Sequence, residues 1–230
     1  MRINQSPRIS INKLGEYIYA TPARKKRILL DAKFPSEIIT SRYAPVQNAA
    51  IQNFAASVKD IEIFNRVKEI LSQKQPANDH QKEKIKSCIE ALTHLTNCAS
   101  SKLVPYTEIP AIKGYKDCKS ITINGVVISL RPEILLLDRN TNQPKGAIKL
   151  AFAKGHFLSI QEGQCIAGLI KSYLEKELKI TCSYKDCITL DVFSSRIIYA
   201  PTKNEWTINK IQSACEDIRL IWPSLQQKVA

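Results

Sequence analysis

Glu133, Lys149 and Glu162 are the residues whose types and spacing offer chemistry. Glu133 follows Pro132 at the head of the apolar run ILLL, and Lys149 sits inside the run AIKLAFA. Strand alternation puts Ala147, Lys149 and Ala151 on one face and Ile148, Leu150 and Phe152 on the other. Lys149 thus stands among small residues, where its charged tip could reach a cleft. A carboxylate and an amine on neighbouring strands can also form a cross-strand ion pair and nothing more. Alternatively, Glu133 can guard a sheet edge. Glu162 lies three residues after Ser159, the spacing of a capping box. It also lies one turn before Ile166, on the side that would face a sheet. Gln161 and Gln164 share that helix start, and His156 follows Lys154-Gly155 as a candidate auxiliary base or an exposed loop residue. Asp138 reads as a turn residue and Asp191 as a carboxylate at the edge of a core strand.

A second group is basic. Arg24, Lys25, Lys26 and Arg27 open a helix, where positive charge opposes the helix dipole. Helix stability does not explain them there. An external anion would offset that cost, and a solvated helix face is the alternative. Arg131, beside the proline, is a further candidate phosphate contact. Tyr17, Tyr19 and Tyr43 are near enough in sequence to stack or to bond to a backbone, or to be partly buried helix residues. The whole chain holds 34 Lys and Arg against 21 Asp and Glu, a formal charge of +13 in 230 residues. Up to residue 57 nine basic residues face three acidic ones. An excess of this size points to a polyanionic partner, DNA or RNA, because each cation near a phosphate releases condensed counterions.

The elements that must position these residues follow from periodicity. Ser10 caps a helix through Ala20, and Thr21-Pro22 opens the next. Ala44-Pro45 begins a third, and KDIEIFNRVKEIL reads as a fourth. The polar stretch SQKQPANDHQK is the best linker. It divides a basic helical region, residues 1–75, from an α/β region, residues 79–230. Asn78-Asp79 then caps a long helix to about residue 99. Beyond it the period falls from 3.6 to 2. SITI and VVISL flank Asn124-Gly125, a strong hairpin signal, and Pro132 bends the second strand into EILLL. AIKLAFA is a third strand, Ser159 opens a helix, CITLDVFSSRIIYAP gives one strand or two, and a last helix closes the chain. The later strand follows a helical crossover and so can join the sheet in parallel.

That order, helix–strand–strand–strand–helix–strand over about residues 79–200, resembles the PD-(D/E)xK nuclease superfamily. The resemblance implies an α/β (α+β) fold with a restriction-endonuclease-like αβββαβ core behind a helical N-terminal region. It implies a Mg²⁺-dependent phosphodiester hydrolase. Pro132-Glu133 occupies the place of the family's Pro-Asp, and Ala147-Ile148-Lys149 that of its Glu-x-Lys. Glu133 would then hold metal and Lys149 would position the attacking water. Ala147 departs from the pattern by removing a carboxylate. Some members supply that group from the following helix, which would make Glu162 the second metal ligand. Metal-bound carboxylates offset phosphodiester charge and lower the pKa of bound water. The alternative is a non-catalytic module on the same degenerate fold, binding nucleic acid or protein within a larger defence or mobile-element complex.

Other classes fit less well. No run of about 18 apolar residues exists to span a bilayer, and MRINQSPRISINKLG lacks the apolar core of a secretory signal. The seven cysteines are scattered without a CxxC pair, and three histidines are few for a metal site. Free thiols in the cytoplasm are the expectation. There is no P-loop, GxGxxG or GxSxG.

Overall fold

The computed structural model describes residues 3–35, 42–56, 60–114 and 120–226. The elements run β1 (Arg8–Ser10), α1 (Ile11–Tyr19), α2 (Pro22–Lys33), α3 (Ala44–Ala55), α4 (Glu62–Ser72), α5 (Asp79–Ser101), α6 (Val104–Thr107), β2 (Ala111–Lys113), β3 (Ser120–Ile123), β4 (Val126–Ser129), β5 (Ile134–Leu137), β6 (Pro144–Ala151), α7 (Ile160–Lys176), β7 (Cys187–Asp191), β8 (Arg196–Tyr199) and α8 (Glu205–Ile221). The class is mixed α+β. No helix among the described residues is long and apolar enough to cross a membrane.

Local chemistry sets the helix starts. The side chains of Ser10, Thr21, Asn78 and Ser159 accept from the backbone N–H of Lys13, Arg24, Gln81 and Glu162 respectively. Each satisfies one donor that the first turn leaves unpaired. Pro22 and Pro45 lie in first turns, where no N–H is needed.

The main sheet has the order β2-β5-β6-β7-β8. β2 pairs antiparallel with β5 and β5 antiparallel with β6, β6 and β7 are parallel, and β8 returns antiparallel. α7 is the crossover that a parallel β6–β7 pair requires. Alternation along β6 holds: Ala147 and Ala151 enter one core, Ile148 and Leu150 the other. α1, α7 and α8 supply the first core, and α3, α4 and α5 the second.

Two strand assignments differ from the sequence expectation. The Asn124-Gly125 hairpin forms, with φ of 47° and 77° at the two turn residues. Its strands β3 and β4, however, join β1 in a separate three-stranded sheet, where β1 lies parallel to β4. Pro132 therefore separates strands of two different sheets and does not bend one strand. The first strand of the main sheet is the three-residue β2, too short to show a period.

The N-terminal helices and the sheet share both cores. Ile11, Leu14 and Tyr17 cluster with Ile166 and Ile218, while Val46, Phe54 and Phe64 cluster with Leu92 and Ile148. The 75–79 boundary lies between α4 and α5, whose Phe64 and Leu92 are buried in one cluster. Six cysteines are free and buried, and Cys118 lies outside the described residues.

Candidate functional site

Glu133 ends the segment that enters β5, and Lys149 stands opposite it on β6. Lys149 Nζ is 2.8 Å from Glu133 Oε1, and both residues are buried, at 7% and 8% exposure. Lys149 also donates to the Arg131 carbonyl at 2.7 Å. Arg131 has φ of 41°, the left-handed region, as the chain passes from β4 to β5. Its side chain is exposed. Glu133 takes three donors. Lys149 and Gln47 Nε2, from α3, reach Oε1 at 2.8 and 3.2 Å, and the Leu150 N–H reaches Oε2 at 2.8 Å. The pair is thus an ion pair with additional backbone bonds, the arrangement a desolvated charge pair needs.

Glu162 is the capping residue. Its Oε2 accepts from the Ser159 N–H at 2.6 Å, and Ser159 Oγ accepts from the Glu162 N–H at 3.2 Å. Its Oε1 lies 3.1 Å from His156 Nε2. Gly15 of α1 packs close by: a Cβ there would meet the Glu162 carbonyl at 3.0 Å. The structure links Glu133 with Lys149, and Glu162 with Ser159 and His156, as two separate groups.

Mg²⁺ demands near-octahedral oxygen ligation. The two candidate carboxylates do not fit that demand as they stand. Glu133 would have to give up Lys149 and the Leu150 amide, and Glu162 would have to uncap α7. No group of three or more His, Cys, Asp or Glu residues among the described residues is placed to hold a metal.

Asp191 is fully buried at the end of β7. Its Oδ2 accepts from the Leu158 N–H at 3.0 Å and from the Ser194 hydroxyl at 2.7 Å, and Oδ1 is buried without a partner. Asp191 therefore ties the loop before α7 to the sheet. Asp138 is the turn residue its position suggests, accepting from the Asn140 and Thr141 amides at 3.0 Å each.

One opening adjoins His156 and Leu158, the partners of Glu162 and Asp191. A cleft of about 340 Å³ is lined by Asn12, Lys13, Glu16 and Arg24 from the N-terminal helices and by Lys154, His156 and Leu158 after β6. Lys13, Arg24 and Lys154 bring three cations to a lining with one carboxylate, Glu16. Glu16 is 2.7 Å from Lys13 and 2.6 Å from Arg24. Burial pushes the Glu16 carboxyl up, but Lys13 and Arg24 outweigh it and hold the group below its ordinary value.

The basic run is divided by the helix. Arg24 enters the cleft, Lys25 stands over the Tyr17 ring at 5.0 Å, and Arg27 pairs with Asp31 at 3.1 Å on the surface. Lys26 is exposed. Lys13 and Lys154 escaped the sequence reading. Lys13 and Glu16 are one turn apart on a helix whose cap was legible, so their shared face was the available signal. Lys154 pairs with Glu90 at 2.6 Å, a long-range contact with no local signature.

Compared with known proteins, the chain matches no family model and no curated sequence.

Proposed function

We propose that this protein binds nucleic acid through the Lys13–Arg24–Lys154 cleft, on a nuclease-like scaffold whose candidate metal-binding carboxylates serve the fold. The observation that carries this reading is the convergence of three cations on one opening while Glu133 and Glu162 are committed elsewhere. Two further features support it. With α6 and the β3–β4 hairpin left aside, the elements α5, β2, β5, β6, α7 and β7 follow one another in an order compatible with the αβββαβ core that the resemblance implies. The net charge of +13 favours a polyanion over a neutral or cationic partner. Fluorescence anisotropy of labelled DNA and RNA tests the reading. Binding should weaken steeply as salt rises from about 50 to 200 mM, because phosphate contacts release counterions. Absent or salt-insensitive binding contradicts it.

One observation favours metal-dependent hydrolysis as a second reading. Pro132-Glu133 and Lys149 meet on adjacent strands at 2.8 Å, as the resemblance implies for a catalytic pair. Incubation of labelled DNA and RNA with Mg²⁺ or Mn²⁺, and then with EDTA, tests it. Cleavage that EDTA stops, and that Glu133→Ala and Lys149→Ala abolish, supports this second reading.

A further inference from the structure

Trp206 stands in the first turn of α8 with 58% of its surface exposed. Lys210, one turn later, places its ammonium 4.1 Å from the Trp206 ring centre and 4.8 Å from that of Tyr19. One cation thus lies against two rings from different helices. Tyr19 is anchored in turn, with its hydroxyl 3.9 Å from Cys165 Sγ on α7. The start of α8 is also held, because Asn204 Nδ2 donates to the Gly168 carbonyl of α7 at 2.8 Å. Trp206 is therefore presented on a braced surface with more than half of the residue exposed to solvent.

The aromatic group and the basic cleft both take residues from α1. Lys13 and Glu16 line the cleft from α1, and Tyr19, three residues after Glu16, is the last residue of that helix. We propose that Trp206 and Tyr19, with Lys210 beside them, form a nucleobase-stacking platform, and that the ligand of the basic cleft is single-stranded nucleic acid. This rests on the nucleic-acid reading above and makes it specific. A single strand can offer a phosphate to Lys210 and an unstacked base to Trp206 at once. A duplex keeps its bases stacked internally and offers only phosphates. Stacking on an aromatic side chain is tolerant of sequence because every base has a π face. The chain's positive charge selects against cationic partners for the same ring.

The two tryptophans make the test direct. Trp222 is buried at 2% exposure, so only Trp206 can report surface stacking. Intrinsic fluorescence is followed while a single-stranded oligonucleotide, a duplex of equal length and polyglutamate are titrated in separate arms. Anisotropy of the labelled oligonucleotides is read in parallel, and circular dichroism confirms that each variant is folded. The expected result is saturable quenching by the single strand. Trp206→Ala should then weaken single-strand binding about tenfold and leave duplex binding nearly unchanged. Single-strand binding by anisotropy, with no tryptophan quenching and no effect of Trp206→Ala, overturns the platform and leaves the nucleic-acid reading standing. Equal quenching by polyglutamate also overturns the platform. No binding of any nucleic acid at low salt overturns both.

Discussion

Lys149 and Glu133 face one another across β5 and β6 at 2.8 Å, almost wholly out of water. The lysine is held by the Arg131 carbonyl as well, and the carboxylate by the Leu150 amide. Together these bonds join the chain entering β5 to the centre of the sheet. The positions that the nuclease resemblance marks as catalytic carry this bond, whereas Lys13, Arg24 and Lys154 line a cleft that includes neither of them.

Removing one partner of a buried ion pair leaves the other charged and alone. Glu133→Ala and Lys149→Ala should each cost about 3–5 kcal/mol of stability. The double replacement Glu133→Leu with Lys149→Met should cost clearly less than the sum of the single changes, because it leaves no orphaned charge. Urea denaturation of the four proteins measures this.

Glu162 acts through its capping box, and a glutamine can make the same reciprocal bond. Glu162→Gln should leave both thermal stability and nucleic-acid affinity close to those of the parent. Ser159→Ala removes the other half of the box and should cost about 1 kcal/mol. A large loss of function in a stable Glu162→Gln protein would assign the carboxylate a charge-dependent role instead.

Glu16 gives stability a defined acid limb. Its carboxyl lies below the ordinary value of 4.5 when folded. Its contribution is therefore complete above about pH 4.5 and is lost as pH falls through the lower folded value. Melting curves between neutral and acid pH should show a shallower acid decline in Glu16→Gln than in the parent, with the neutral-pH protein less stable.

Lys154 lines the cleft, where it pairs with Glu90 and lies 3.5 Å from the Ser87 hydroxyl. Lys154→Ala should weaken binding across all sequences and reduce the slope of log affinity against log salt by about one. Affinity measured at four or more salt concentrations provides that slope.

Much of the fold is written in local chemistry. Ser10, Thr21, Asn78 and Ser159 announce their helices because a cap is a contact over three residues. Asn124-Gly125 announces its hairpin because only the turn residues need positive φ. The destination of that hairpin was illegible. It depends on β1, three residues long, paired in parallel with a strand more than a hundred residues later. The same holds for the site. Glu133 and Lys149 were readable as a cross-strand pair, since alternation and a short turn dictate it. The cleft was not readable, because α1, α2 and the loop after β6 meet only once the sheet has formed. The four-residue basic run looked like one patch, and the helical turn sends its members to different surroundings.

The most direct measurement is equilibrium anisotropy of a labelled oligonucleotide in Mg²⁺ and, separately, in EDTA, with the oligonucleotide recovered and sized afterwards. Binding through the cleft on a scaffold without a working metal centre predicts similar affinity in the two buffers at matched ionic strength, a steep fall with added salt, and an intact oligonucleotide. Metal-dependent cleavage that disappears in Glu133→Ala, or the absence of salt-sensitive binding in either buffer, would contradict it.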